Sequence, residues 1–186
     1  MASTMTNELH FPQIHSGTPR LDRLDIKILA ALQTDGRMTN LKLADIVGLS
    51  PTPCLQRVRR LEATGYIKAY EAILDVARLA PHMFVITQVS LANQRYEDTQ
   101  RFERFVQNTP EVLECFAVGS DYDYLVQSIV RNIAHYQELV DALLSDAVGA
   151  RQVATYITLK TVKRTRALPS SLFQPSAIMG LRSSPS

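Results

Sequence analysis

The chain has 186 residues, 46% of them hydrophobic, which is enough apolar mass for one large core or two small ones. A net charge of only +2 excludes a uniformly basic chain, so any attraction to phosphate has to come from a local cluster of cations. No run approaches the roughly 18 consecutive apolar residues of a membrane helix. The amino-terminal stretch also lacks a basic segment followed by an apolar one, so a cytoplasmic protein with no membrane partner is expected.

Residues 1–20 are polar and carry Pro12, Gly17 and Pro19 without a sustained period, which predicts a flexible arm; His10 and His15 in it are too isolated to hold a metal. Structure begins at Leu21. Asp22 has the position of an N-cap, Asp25 that of its capping-box partner, and Leu21 can staple onto Ile26. The helix these residues open should turn Ile28, Leu29 and Leu32 inward and end at Gly36. A second helix starts behind Thr39, carries Leu43, Ile46 and Val47 at helical spacing, and stops at Gly48. Ser50 then caps a third, with Pro51 and Pro53 in a first turn that has no need of their N–H groups. Cys54, Leu55, Val58 and Leu61 fall on one side of this helix. Thr52, Gln56, Arg59 and Arg60 fall on the other, Arg57 lies between them, and Gly65 followed by Tyr66 closes the helix.

A basic helix face is usually no more than a solvated one. Here it follows a capped helix and a Gly turn, and hydrogen-bonding side chains gather at its amino-terminal end, the part of a helix-turn-helix that meets base edges. The predicted DNA-binding residues are Ser50, Thr52, Pro53, Gln56, Arg57, Arg59 and Arg60, with Thr52, Gln56 and Arg57 or Arg60 toward bases and the remaining cations toward phosphates.

Tyr66 to Leu74 is rich in β-formers and predicts a wing or a strand leading out of a first domain spanning 21–75. Residues 76–82, with Pro81, form a linker. From Met83 the period changes to two, with Val85, Thr87, Val89 and Leu91 on one side and Phe84 and Ile86 on the other. A helix over Tyr96 to Gln107 buries Phe102, Phe105 and Val106; strands follow at Val112 to Val118 and Tyr124 to Val130. Asn132 caps a helix with Ile133, Tyr136, Leu139, Val140 and Leu143 inward, and Val153 to Val162 alternates as a last strand. This β-α-β-β-α-β order over 83–166 is the ferredoxin-like pattern, a four-stranded antiparallel sheet with both helices on one face. The uncovered face predicts a homodimer. Residues 167–186 are rich in Ser and Pro and predict a disordered tail, in which Phe173, Ile178, Met179 and Leu181 leave room for a docking segment.

Little in the sequence suggests catalysis or a cofactor. The seven glycines are not clustered into a phosphate loop, and His82 and His135 have no metal or triad spacing. Cys54 and Cys115 sit on apolar positions with no C-x-x-C, as buried reduced thiols do. Outside the first domain the tightest polar group is the turn Gly119 to Asp123, and a DYD turn alone is ordinary turn chemistry.

The strings LDRLDIKILAALQTDGR and GLSPTPCLQRVRRLE, followed by GYI, closely resemble the amino-terminal domain of the bacterial Lrp/AsnC regulators, and the likeness extends from about Leu21 to about Lys163. It implies an α+β protein, a winged helix-turn-helix domain followed by a ferredoxin-like effector and assembly domain. Its function would be sequence-specific regulation of transcription on double-stranded DNA, without enzymatic activity, cofactor or metal. Dimers of such proteins assemble further, so a tetramer or octamer is implied, and the effector would be an amino acid or related metabolite. In the family a Gly-x-x-Asp turn helps form the effector pocket. Asp123 matches its Asp, while Ser120 takes the place of its Gly and the glycine stands one residue earlier, at Gly119. The implied pocket comprises Gly119, Ser120, Asp121, Tyr122 and Asp123, bordered by Tyr156 and Thr158 from the same or a neighbouring subunit. The alternatives are an architectural DNA-binding protein with little effector dependence and, further off, an enzyme built on the ferredoxin-like domain.

Overall fold

A reciprocal cap opens the first helix of the computed structural model, which describes residues 20–169. Helix α1 (Arg23–Thr34) begins at Asp22, whose Oδ1 accepts from the N–H groups of Leu24 and Asp25, each at 2.8 Å. Asp25 Oδ2 in turn accepts from the Asp22 N–H at 2.9 Å, completing the capping box. The helix stops at Thr34, short of the expected Gly36, because Asp35 takes an extended backbone and its side chain accepts from the Arg37 N–H. Gly36 has a different use: a Cβ there would lie 3.3 Å from Tyr70 Cδ1, so the glycine admits the ring.

Helix α2 (Asn40–Val47) is capped by Thr39 and stopped by Gly48 at φ +76°, as its sequence predicts. Its inward stripe is Leu43, Ala44 and Val47, which turns Ile46, expected inside, out to solvent. Helix α3 (Pro51–Ala63) begins at Ser50, which has N-cap backbone geometry but makes no side-chain cap bond. A hydroxyl cap accepts from the second or third N–H of the helix, and Pro53 in the third position removes one of those two donors, leaving only that of Thr52. Leu55, also expected inward, is exposed. Gly65 at φ +76° and the Ile67 N–H on the Leu61 carbonyl fold Tyr66 and Ile67 back onto the core of Ile28, Leu29, Leu43, Val47, Cys54 and Leu61.

The segment from Tyr66 to Leu74, expected as wing or strand, forms a bend at Tyr66 and Ile67 followed by irregular chain and pairs with no strand among the described residues. β-propensity alone does not make a strand without a partner ladder. Tyr70 instead donates to Glu62 Oε1 at 2.9 Å, and burial together with that carboxylate pushes its phenol up to about 12.

After a 3-10 turn at Val76–Arg78 come β1 (Met83–Leu91), α4 (Tyr96–Gln107), β2 (Val112–Ala117), β3 (Tyr124–Val130), α5 (Ile133–Leu144) and β4 (Ala150–Ile157). The sheet order is β2-β3-β1-β4 with every neighbour antiparallel, the topology the element order predicted. Val85, Val89, Tyr124, Val126 and Val130 face Phe102 and Val106 of α4 and Tyr136, Leu139 and Leu143 of α5, whereas Ile133 is exposed. Phe102 and Tyr124 stack with ring centroids 4.4 Å apart. Thr87 is tolerated in this core because Tyr136 Oη bridges its hydroxyl, at 2.8 Å, to that of Thr155, at 2.7 Å. β4 starts earlier than Val153 and ends before Val162, since its partner β1 begins at Met83 and the last bond runs from the Thr158 N–H to the Phe84 carbonyl. Both cysteines are free; Cys54 is buried, and burial with the nearby Glu103 charge pushes the half-buried Cys115 thiol up to about 11.

The described residues divide into two compact units, 74–163 and 20–73 joined by 164–169. The residues expected as a linker thus group with the sheet. Those just after β4 group with the helices, where the Leu168 N–H donates to Gln33 Oε1 at 2.6 Å and Arg166 pairs with Glu71. The expected arm, with His10 and His15, and the tail beyond 169, with Phe173, Ile178, Met179 and Leu181, lie outside the described residues. Among the described residues, no helix is long and apolar enough to cross a membrane.

Candidate nucleic-acid interface and effector turn

The start of α3 is fixed from α2. Asn40 Nδ2 donates to the Pro51 carbonyl at 2.8 Å, tying the first residue of one helix to the first residue of the next, while its Oδ1 is buried without a hydrogen-bond partner. The sequence reading missed this residue because the bond spans eleven positions and leaves no periodic signal. Beyond the clamp Ser50, Thr52, Gln56 and Arg59 are exposed and Pro53 is half-buried. Thr52, Gln56 and Arg59 lie at spacings of four and three, so they share one helix face. Among the described residues Arg59 makes no ion pair.

Arg57 and Arg60 are placed differently from that face. Arg57 Nη1 donates to Asp22 Oδ2 at 2.6 Å and to Asp25 Oδ1 at 2.9 Å, and Arg60 Nη2 donates to Asp25 Oδ2 at 2.6 Å. The Asp25 side chain is 0% exposed, that of Arg60 45%. Both guanidinium groups expected on DNA are therefore engaged by the carboxylates that cap α1. The hydrogen bonds that Arg57 donates to Asp22 and Asp25 raise its pKa further. Partial burial pushes the Asp22 carboxyl up, but the Asp25 N–H, the Arg57 guanidinium and the Leu24 N–H outweigh it and hold the group below its ordinary value.

At one end of the sheet the turn Gly119 to Asp123 connects β2 to β3. The Asp123 N–H donates to the Val89 carbonyl and its carbonyl accepts from Val118, both at 2.9 Å. Its carboxylate is also engaged: Oδ2 accepts from the Leu91 N–H and Oδ1 from Gln94 Nε2, each at 2.7 Å. The Leu91 bond falls where the β1–β4 register shifts, so Asp123 satisfies a donor that the irregular ladder leaves over. Ser120 Oγ turns back to the Tyr122 backbone, while the N–H groups of Gly119, Ser120 and Asp121 donate to nothing among the described residues. Tyr156 lies on the face away from the helices, its hydroxyl 3.3 Å from Gln88 Oε1. Thr158 is beside Phe84 while Asp123 is beside Val89. Five residues of strand at about 3.3 Å each separate them by on the order of 17 Å, so one chain does not bring Thr158 to the turn.

A family model for the Lrp/AsnC ligand binding domain matches residues 84–168, and one for winged helix-turn-helix DNA-binding matches residues 21–68. Over 148 residues the chain is 47% identical to the transcriptional regulatory protein DoeX of Halomonas elongata, an alignment covering 80% of this chain and 94% of that protein. The chain belongs to the Lrp/AsnC family. It is a DNA-binding transcriptional regulator of the Lrp/AsnC type, and it is also 38% identical over 148 residues to the leucine-responsive regulatory protein of Escherichia coli K12, covering 80% and 90% of the two chains. Among solved structures it is similar to a Neisseria meningitidis transcriptional regulator in complex with L-Met, with a TM-score of 0.75, 35% identity and coverage of 80% and 96%. An AsnC family regulator from Agrobacterium tumefaciens gives a TM-score of 0.76 at 33% identity, covering 81% and 98%.

The electrostatics of the Asp22 cap in this Lrp/AsnC protein predict an acid sensitivity. A carboxyl whose folded pKa is depressed adds stability that is complete above the unfolded value and is lost as pH falls through the folded one. Asp22→Asn should therefore flatten the loss of helix-turn-helix stability below about pH 4. Circular dichroism melts of parent and variant between neutral and acid pH check this, and parallel curves throughout would refute it.

Proposed function

We propose that this regulator reads double-stranded DNA with the exposed face of α3, Thr52 and Gln56 toward base edges and Arg59 toward phosphate, with Ser50 and Pro53 at the point of entry. The observation that carries the reading is the division among the arginines: Arg59 makes no ion pair among the described residues and lies on the face of Gln56, while Arg57 and Arg60 are held against α1. Arg59→Ala should weaken binding to every sequence and lower the salt slope by about 0.9 if it neutralises one phosphate. Gln56→Ala should relax preference at one position of each half-site. Anisotropy titrations at several salt concentrations separate the two effects, and unchanged binding in both variants would put a different face on DNA.

The working form is a homodimer assembled further into a tetramer or octamer in the cytoplasm. Support comes from the sheet face opposite α4 and α5, where Ile86, Leu125 and Ile129 lie beside the exposed Phe116 and Tyr156 and no helix among the described residues packs on them. Apolar surface of this kind is unusual on a monomer. A charge at its centre, Ile86→Glu, should convert the full-length protein to monomer in light scattering; an unchanged mass would locate the assembly surface elsewhere.

Its effector is an amino acid or related metabolite, a reading supported by the L-Met complex of the Neisseria regulator and by the chemistry of the turn. The free N–H groups of Gly119, Ser120 and Asp121 suit a carboxylate, with Tyr122 alongside. Asp123, although bonded to Leu91 and Gln94, keeps a second lone pair on each oxygen for an ammonium group. Tyr156 and Thr158 would then come from a neighbouring copy. A thermal-shift screen of the amino acids identifies the ligand. Asp123→Asn should then cut its affinity by more than tenfold, in line with about 2 to 5 kcal/mol for truncating one member of a buried charge pair. Undiminished calorimetric binding in that variant would remove the turn from the site.

A further inference from the structure

The placement of Asp25 has a bearing on specificity as well as on the fold. Arg57, Arg59 and Arg60 stand within four consecutive residues of α3, and Arg60 follows Gln56 by four, which puts its Cα on the face assigned to DNA. Three free guanidinium groups there would bind phosphate whatever the sequence, because non-specific affinity grows with each phosphate neutralised. Two carboxylates from α1 engage two of the three. Asp25, fully buried, accepts from both arginines, and Asp22 accepts a second bond from Arg57. Two positive and two negative charges form a neutral cluster, leaving Arg59 as the one arginine of α3 without a carboxylate partner among the described residues.

We propose that Asp25, assisted by Asp22, is a specificity-determining positioning residue that withholds the Arg57 and Arg60 guanidinium groups from phosphate, so that base contacts rather than charge govern DNA binding. The proposal rests on the reading that the exposed face of α3 meets DNA. Stability alone does not account for the cluster, since replacing a buried ion pair by apolar residues is commonly neutral or stabilising. Direction matters too: Arg60 is nearly half exposed, and its side chain nevertheless turns inward to a carboxylate that has no access to water.

The test uses the full-length chain with Asp25→Asn and, as the milder change, Asp22→Asn. Asparagine is as good an N-cap as aspartate, so α1 keeps its start when residue 22 loses its charge. Each variant is titrated by fluorescence anisotropy against two duplexes of equal length, one selected from a random pool by the parent protein and one of arbitrary mixed sequence. Circular dichroism melts establish folding. Asp25→Asn should bind the arbitrary duplex more tightly, steepen its salt slope by up to about 0.9 for each guanidinium that reaches a phosphate, and lower the selected-to-arbitrary ratio at least tenfold. Asp22→Asn should move slope and ratio in the same direction by less, and it decides the matter if Asp25→Asn does not fold. Equal weakening on both duplexes at an unchanged slope would make the cluster a fold element only and overturn the proposal. Arg59→Ala, run alongside, separates the two levels: a lowered slope keeps the helix face assignment even when the carboxylate variants show nothing, whereas an unchanged slope removes that assignment and the proposal with it.

Discussion

Asp25 carries a carboxylate with no access to water, and such a group persists only where donors surround it on every side. Here those donors are the Asp22 N–H and the guanidinium groups of Arg57 and Arg60, so one side chain closes the start of α1 and orients α3. Removing both guanidinium groups would leave the Asp25 carboxylate buried with its charge uncompensated, which is far costlier than never having buried it. The angle at which α3 is presented thus follows from an electrostatic requirement at α1. The Asn40 clamp on Pro51 sets the same helix from its other neighbour.

The second unit obeys a constraint of a different kind. A β-α-β-β-α-β chain supplies only two helices, and both pack on the same face of the sheet, where strict alternation in β1 and β3 buries every second residue. The opposite face carries Phe84, Ile86, Phe116, Leu125, Ile129 and Tyr156 and receives no helix among the described residues. At the end of the sheet the strand pairing becomes irregular, and Asp123 takes up the spare Leu91 N–H. The β2–β3 turn is tied to β1 through this residue, and three neighbouring N–H groups are left pointing to no acceptor in the described chain.

Identical residue types therefore do different work according to what the fold sets beside them. Arg59 and Arg60 are adjacent, yet among the described residues one makes no ion pair and the other is paired with a buried acid. Asp121 and Asp123 belong to the same turn, but only Asp123 reaches across to β1. A regulator needs both kinds of placement, because phosphate attraction supplies affinity without sequence preference and base-edge contacts supply preference.

Much of this architecture was legible in the sequence. Caps at Asp22, Thr39 and Asn132, the positive-φ glycines Gly48 and Gly65, and the change of period at Met83 are local signals, and each concerns groups within a turn or two of one another. Element order then left few topologies, and the ferredoxin-like sheet followed. What failed was local reasoning applied to distant causes: Gly36 answers to Tyr70 rather than to a helix end, and the last strand ends where β1 begins rather than where its own β-formers run out. The arginines show the limit most plainly. A helical wheel assigns Arg60 to the face of Gln56, but a wheel places Cα atoms, and a long side chain goes where its charge is best met. That choice depended on Asp25, thirty-five positions away in sequence, and only the packing of α1 against α3 brought the two together.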